Sequence, residues 1–387
     1  MFDYAAYAVS LRRELHQYPE IGFDLTRTLA LVRRELDAMG ISYTEKYGKS
    51  SIVATINPEK NHFTIGLRGD MDALPIQEKT GLPFASKCDG KMHACGHDIH
   101  TANLLAVARK LNDMRDEIRC CVKLLFTPAE EYITPGCMLM VQDGVADEVD
   151  CAVALHVNPT MPVGVVAMSP GGSNSNSMGL EAEFFGKSAH AHSQQKAVDA
   201  IRIAVEAYTA LEMMLAREVP STAPCLMNIG SFHGGTANNI IADYVKLQIS
   251  SRTHSDELTE FMERRIKEIC EGIAALHGGS AKVTVTKLLP YVYNDPVMTQ
   301  RMQATARKLL GEENVRPGTR GMGAEDFAFL SRKKPCVLVR LGTRNENDPS
   351  THNSVHSAVF DADERCFGVS IPLFVNFVLE NQDGIEF

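Results

Sequence analysis

The sequence has no block of lysine and arginine able to neutralise a phosphate backbone; its net charge of -9, with a pI near 5.8, comes from scattered acidic residues. Nucleic acid is therefore not an expected partner. Nor does the stretch from Met1 to Arg13 hold a basic segment followed by an apolar run and a small-residue cleavage site, so the expected location is cytoplasmic. No apolar run reaches the roughly 20 residues that a membrane crossing needs. The most apolar late stretch, Phe367 to Leu379, is interrupted by Pro372 and Asn376, and reads as a core-facing terminal helix. A membrane partner is not expected either. The ten cysteines include no Cys-x-x-Cys pair and no framework spacing, which argues against disulfides and for reduced, buried thiols. Internal repeats and low-complexity tracts are also missing.

What is present is material for a large core. A chain of 387 residues with 44% hydrophobic content suggests about two domains. Four short apolar runs read as buried strands: Phe63 to Leu67, Val122 to Phe126, Cys151 to Leu155 and Cys336 to Leu341. Helical patterns lie between several of them, such as Thr101 to Arg115 with Leu104, Leu105, Val107, Ala108 and Leu111 on one face. This alternation predicts an α/β domain with a mostly parallel sheet. Charged groups follow the first three runs: Arg68, Asp70 and Asp72, then Glu130 and Glu131, then His156. In open α/β sheets the ligand crevice lies beyond the carboxyl ends of the strands, so these side chains are expected to converge.

The pattern changes after Pro170 to Ser177, a Gly/Ser/Asn-rich stretch that reads as a linker. Beyond it come Leu180 to Phe185, a helix over Ala197 to Arg217, Tyr244 to Ser250, a helix over Asp256 to His277 and a strand-like run over Lys282 to Leu288. These read as members of a β-α-β-β-α-β set of ferredoxin-like type, inserted into the first domain. The expected division is residues 1–175 and 290–387 for a catalytic domain and 176–289 for the insertion.

Chemistry concentrates in Met92-His93-Ala94-Cys95-Gly96-His97-Asp98-Ile99-His100, with one thiol, three imidazoles and a carboxylate in nine positions. Cysteine and histidine suit zinc, manganese, cobalt or iron, and Gly96 lets the loop turn so that both its neighbours face one ion. The plainer reading is a surface loop with incidental histidines. Glu130 and Glu131 are adjacent and point in different directions, so one can bind metal while the other acts as general acid/base. A solvated acidic turn is the alternative. His156 alone would pass for a hydrogen-bonded core histidine. In Thr351-His352-Asn353-Ser354-Val355-His356 either imidazole could complete the site.

The ordered set of motifs resembles the amidohydrolase branch of the aminoacylase-like dinuclear metallopeptidases, the hippurate hydrolase and indole-acetyl-amino-acid hydrolase type. It comprises Arg12-Arg13-Glu14-Leu15-His16 with Pro19-Glu20, Arg68 to Pro75, Met92 to Thr101, Pro128 to Glu131, and Leu155-His156-Val157. Gly234 to Asn239, Arg252-Thr253 and Gly323 to Phe327 complete it. The resemblance implies two divalent metal ions, zinc or manganese with cobalt as a further option, on Cys95, His97, Glu131, His156 and His356. It implies Glu130 as catalytic base, and Asp72 as a carboxylate standing behind the ligands. His356 is preferred over His352 because Phe360 and Asp363-Glu364 follow it at the family spacing. His190 resembles the histidine of an inserted lid and dimerisation domain that reaches a neighbouring subunit's site, and Asn239 and Arg252 resemble residues that hold the substrate carboxylate. The implied reaction is amide hydrolysis of a small N-acyl amino acid, by a homodimer.

Two positions depart from that pattern. The run Ser188-Ala189-His190-Ala191-His192-Ser193 lacks the usual glycine pair and proline, and Ala358 stands where a proline is usual. Competing readings are a dipeptidase or carboxypeptidase of the same superfamily, and a hydrolase with Cys95 as nucleophile. A third is a catalytically silent dimeric scaffold.

Overall fold

In the computed structural model, which describes residues 2–387, the chain divides into two compact units. The first holds the chain up to Ser173 with Val292–Thr319 and Asp326–Phe387; the second holds Asn174–Tyr291 and Arg320–Glu325.

The first unit is built on an eight-stranded sheet whose middle strands are Cys121–Thr127, Thr64–Asp70, Cys151–Pro162 and Cys336–Arg344, in that spatial order and mutually parallel. These are the four apolar runs of the sequence. They carry no polar alternation because both faces are covered. Val122, Leu124 and Phe126 face a core shared with Val153 and Leu155, whereas Leu125 joins Ala152, Ala154 and Leu338 in a separate core on the other face. Ile52–Ile56 flanks the parallel set antiparallel to Cys121–Thr127. The helix His97–Asp113 is buried from His97 to Ala108, and Phe367–Asn381 packs into the same core. Among the described residues no helix is long and apolar enough to cross a membrane.

The second unit runs Asn176–Phe185, helix Ala200–Arg217, Cys225–Gly234, Tyr244–Thr253, helix Asp256–Leu276 and Ser280–Leu289. Its sheet is antiparallel throughout, with Ser280–Leu289, Asn176–Phe185, Tyr244–Thr253 and Cys225–Gly234 in spatial order, a ferredoxin-like arrangement. Asp199 caps the first helix through the N–H groups of Ile201 and Arg202, and Ser255 caps the second through Leu258. The helices cover one sheet face through a core of Ile203, Ala207, Leu211, Met262 and Ile266 against Leu180, Ala182 and Leu247.

The boundary between the units falls within the stretch read as a linker, after Ser173, and the second half of that stretch is not solvated. Asn174, Ser175, Asn176 and Ser177 are buried, and the Asn176 side chain donates to Ser255 O and Thr259 Oγ1 while accepting from Tyr291 N–H. Polar composition there reflects a satisfied hydrogen-bond knot within the second unit, not chain flexibility.

Candidate metal centre

The centre grows from the carboxyl end of the parallel strands. Thr64–Asp70 ends on Asp70 and Cys121–Thr127 leads into Pro128-Ala129-Glu130-Glu131, with Ala129 in the left-handed region at φ +55°. The helix begins at His97 rather than Thr101 because Gly96 supplies a left-handed entry at φ +83°. A Cβ on Gly96 would also lie 2.5 Å from Val157 Cγ2. Gly96→Ala is therefore expected to cost about 1–3 kcal/mol of stability from backbone strain and crowding. Denaturant unfolding checks this, and a cost within error would mean the loop has another conformation.

Five side chains from four segments meet here. The donor atoms of Cys95, His97 and His156 lie within 4.8 Å of one another, as do those of Cys95, Glu131 and His356. The two triads share Cys95. His156 Nε2 is 3.5 Å from Cys95 Sγ, and His356 Nε2 is 2.8 Å from Glu131 Oε1. His97 Nδ1 donates to the Asp72 carbonyl at 2.9 Å, and its buried Nε2 has no hydrogen-bond partner. His156 Nδ1 likewise donates to the Val157 carbonyl at 2.8 Å. In both rings a carbonyl takes the Nδ1–H and leaves Nε2 to face the cluster, the arrangement of a metal-binding imidazole. His352 instead points its Nε2 at Asn345 O, 2.9 Å away.

Glu130 is buried beside His97 and Glu131, and its Oε1 accepts from Asp326 N–H at 3.3 Å. Asp72 clamps the turn: its two carboxylate oxygens accept from Glu130 N–H and Glu131 N–H, at 3.0 and 3.1 Å. Asp72 thus braces both glutamates and His97 together.

A further buried set lies behind these residues, and the sequence alone did not assign it. His100 Nδ1 meets Asp70 Oδ1 at 2.5 Å, and its Nε2 accepts from Val157 N–H. Arg68 reaches Thr127, Asp70 and Asp326. Burial opposes ionisation of Asp70, but the charge of Arg68, then of His97 and His100, holds its pKa well below the usual carboxylate range. Burial, reinforced by His100 and Arg340, pushes the His156 pKa well down and keeps that ring neutral. Burial pushes the Cys95 thiol up against the pull of His97. For Glu131 burial raises the pKa, but the contact with His356 and the charge of His97 win and lower it.

The remaining candidates lie in the second unit. His190 is exposed, and its Nδ1 faces His192, 3.3 Å from the backbone N and 2.6 Å from the ring Nδ1, which leaves Nε2 free of that contact. Asn239 is beside it, accepting from Ala191 N–H at 3.0 Å. Arg252 is not brought to them. It lies near the far end of Tyr244–Thr253, paired across from Ser177 and Leu226, about 26 Å along the strand from the end where the His190 segment leaves the sheet.

The sequence pattern of peptidase family M20/M25/M40 matches residues 66–373. An N-acetylcysteine deacetylase of Bacillus subtilis is 32% identical over 372 residues, 96% of each chain. A hippurate hydrolase of Campylobacter jejuni is 34% identical over 348 residues, 89% of each. A solved Bacillus subtilis structure, described as a dinuclear metal-binding peptidase of the M20 family, superposes with a TM-score of 0.84 at 29% identity, over 99% of both chains. The chain belongs to peptidase family M20/M25/M40, and is a hydrolase of its amidohydrolase and peptidase kind.

Proposed function

We propose that the chain hydrolyses the amide bond of small N-acyl amino acids, with two divalent cations held by Cys95, His97, Glu131, His156 and His356. The observation that carries this reading is the pair of triads sharing Cys95, each with donors close enough for one ion. The buried His97 Nε2, which has no hydrogen-bond partner, fits such a ligand set. Thiolate, imidazole and carboxylate donors together suit zinc, with manganese or cobalt able to serve the same chemistry. Cation binding also offsets the burial that holds the Cys95 thiol protonated.

When bound, the cations lower the pKa of a water from near 16 towards about 7 and polarise the amide carbonyl. Glu130 is the base: it accepts the proton of the attacking water and passes it to the leaving amine. Glu131 belongs with the ligands because its carboxylate, unlike that of Glu130, groups with both Cys95 and His356. His190 would donate an imidazole N–H to the developing oxyanion. Arg252 would grip the substrate carboxylate bidentately, with Asn239 as a second donor.

The spread of these residues supports a homodimer. Within one second unit His190 and Asn239 lie far from Arg252, so all three can serve one substrate only if two chains contribute. The unit also exposes Ile201, Val205, Tyr208 and Met213 along Ala200–Arg217, and Leu226 and Phe232 on the edge strand. An apolar stripe beside an open sheet edge is suited to pairing with a second copy. A cytoplasmic setting accords with ten cysteines that form no disulfide.

The test is amine release from N-acetyl, N-benzoyl and aminobenzoyl amino acids and from dipeptides, with zinc or manganese and a chelator-treated control. Chelator-sensitive release from the N-acyl compounds is expected. Release from dipeptides alone would move the assignment to a peptidase, and release surviving thorough metal removal would sink the dinuclear mechanism.

A further inference from the structure

Arg12 lies on the helix Tyr4–Gln17 and is almost completely buried, yet it is not among the donors of the metal centre. Its Nε donates to Asp98 Oδ2 at 3.0 Å, its Nη2 to Asp361 Oδ1 at 3.1 Å, and its Nη1 to Glu364 Oε1 at 3.1 Å. Asp98 immediately follows His97, whereas Asp361 and Glu364 follow His356 on the loop that leads into the terminal helix. One planar guanidinium therefore ties the start of the His97 helix to the segment that carries His356.

The His356 side needs such a tie more than the His97 side does. The His356 side chain is 50% exposed and its backbone has φ +65° without being glycine, so the bond from its N–H to Ala94 O holds the backbone at one point without fixing the segment that follows. His97, by contrast, is buried in a helix and braced by Asp72. On the helix side Asp98 is itself held by His16, whose Nδ1 lies 2.8 Å from the same Oδ2 that Arg12 uses. The fork of an arginine has fixed geometry, so three bonds from it set a separation that a flexible ammonium could not.

We propose that Arg12 is a positioning residue that sets the distance between the His97 and His356 segments, and so the affinity for the ion of the Cys95, Glu131 and His356 triad. This rests on the dinuclear reading above. Groups that orient metal ligands without touching the ion commonly contribute about 10–100-fold in affinity.

The experiment is a competitive zinc titration of full-length wild type and Arg12→Lys against a chromophoric chelator, with a thermal melt of each. Wild type is expected to take up two ions. Arg12→Lys is expected to keep the tighter site unchanged and to weaken the second by about 10–100-fold, with kcat falling while KM holds. Two ions bound as in wild type, or equal weakening at both sites, overturns the proposal alone. A wild-type chain that takes up only one ion overturns the dinuclear reading, and the proposal with it. Should Arg12→Lys fail to fold, Asp361→Ala removes one arm on the His356 side and is read in the same way: selective loss of the second ion supports the role, and unchanged binding of both overturns it.

Discussion

Glu130→Gln is expected to lower kcat by about 10²–10⁴ while the protein keeps both cations and an unchanged KM. Glutamine preserves the size of a buried side chain and retains an oxygen that can accept from Asp326 N–H, so packing and the turn should survive. The backbone of the turn is set by Asp72 rather than by the Glu130 carboxylate, which leaves Glu131 in place. What disappears is the capacity to take a proton. A loss in kcat that equals the loss in kcat/KM marks an interaction made only in the transition state. Steady-state kinetics with metal analysis of the same preparation checks both halves. Loss of a cation would mean that Glu130 and not Glu131 is the ligand; an unchanged kcat would remove Glu130 from proton transfer.

The fold was legible where the chain is buried on both faces, and less so elsewhere. Central strands such as Cys151–Pro162 begin as continuous apolar runs because no residue there meets water on either face. Cys225–Gly234 left no comparable mark: it lies on an edge, only Met227 is buried, and Asn228, Gly230 and Ser231 break its pattern. The stretch from Pro170 to Ser177 showed its place, since the boundary between the units falls after Ser173, but not its packing. Its polar composition suggests exposure, yet Asn174 to Ser177 are buried and the side chains of Ser175 and Asn176 find partners inside the fold. Composition records polarity but not where the partners lie.

The centre divides in the same way. Cys95, His97, Glu130 and Glu131 stand in short runs dense with metal-binding or proton-carrying groups, which local sequence displays. Their supports do not. Arg68 meets Asp326 across 258 positions and Arg12 meets Asp361 across 349. Such pairs are products of topology: parallel strands bring their carboxyl ends to one edge, and carboxylates far apart in sequence then surround one guanidinium. Each of these arginines stood within a motif, but nothing local showed which carboxylates it would meet.

Cys95→Ala is expected to abolish binding of both cations, and with it activity by at least about 10³-fold, because the lost charge stabilisation amounts to several kcal/mol. His356→Ala belongs to one triad and should cost one ion only. The contrast tests whether the thiolate is common to both sites, and metal content of dialysed protein reads it directly. Loss of activity alone would not separate a shared ligand from a cysteine nucleophile, since either reading makes the alanine variant inactive. Cys95→Asp separates them. A carboxylate can also face two cations, and as a harder donor it should favour manganese over zinc. If Cys95 is a shared ligand, the aspartate variant regains metal and measurable manganese-dependent turnover. A variant that binds two ions yet stays inactive with every metal would instead require the sulfur in the bond-making step, and would return the nucleophilic mechanism to contention.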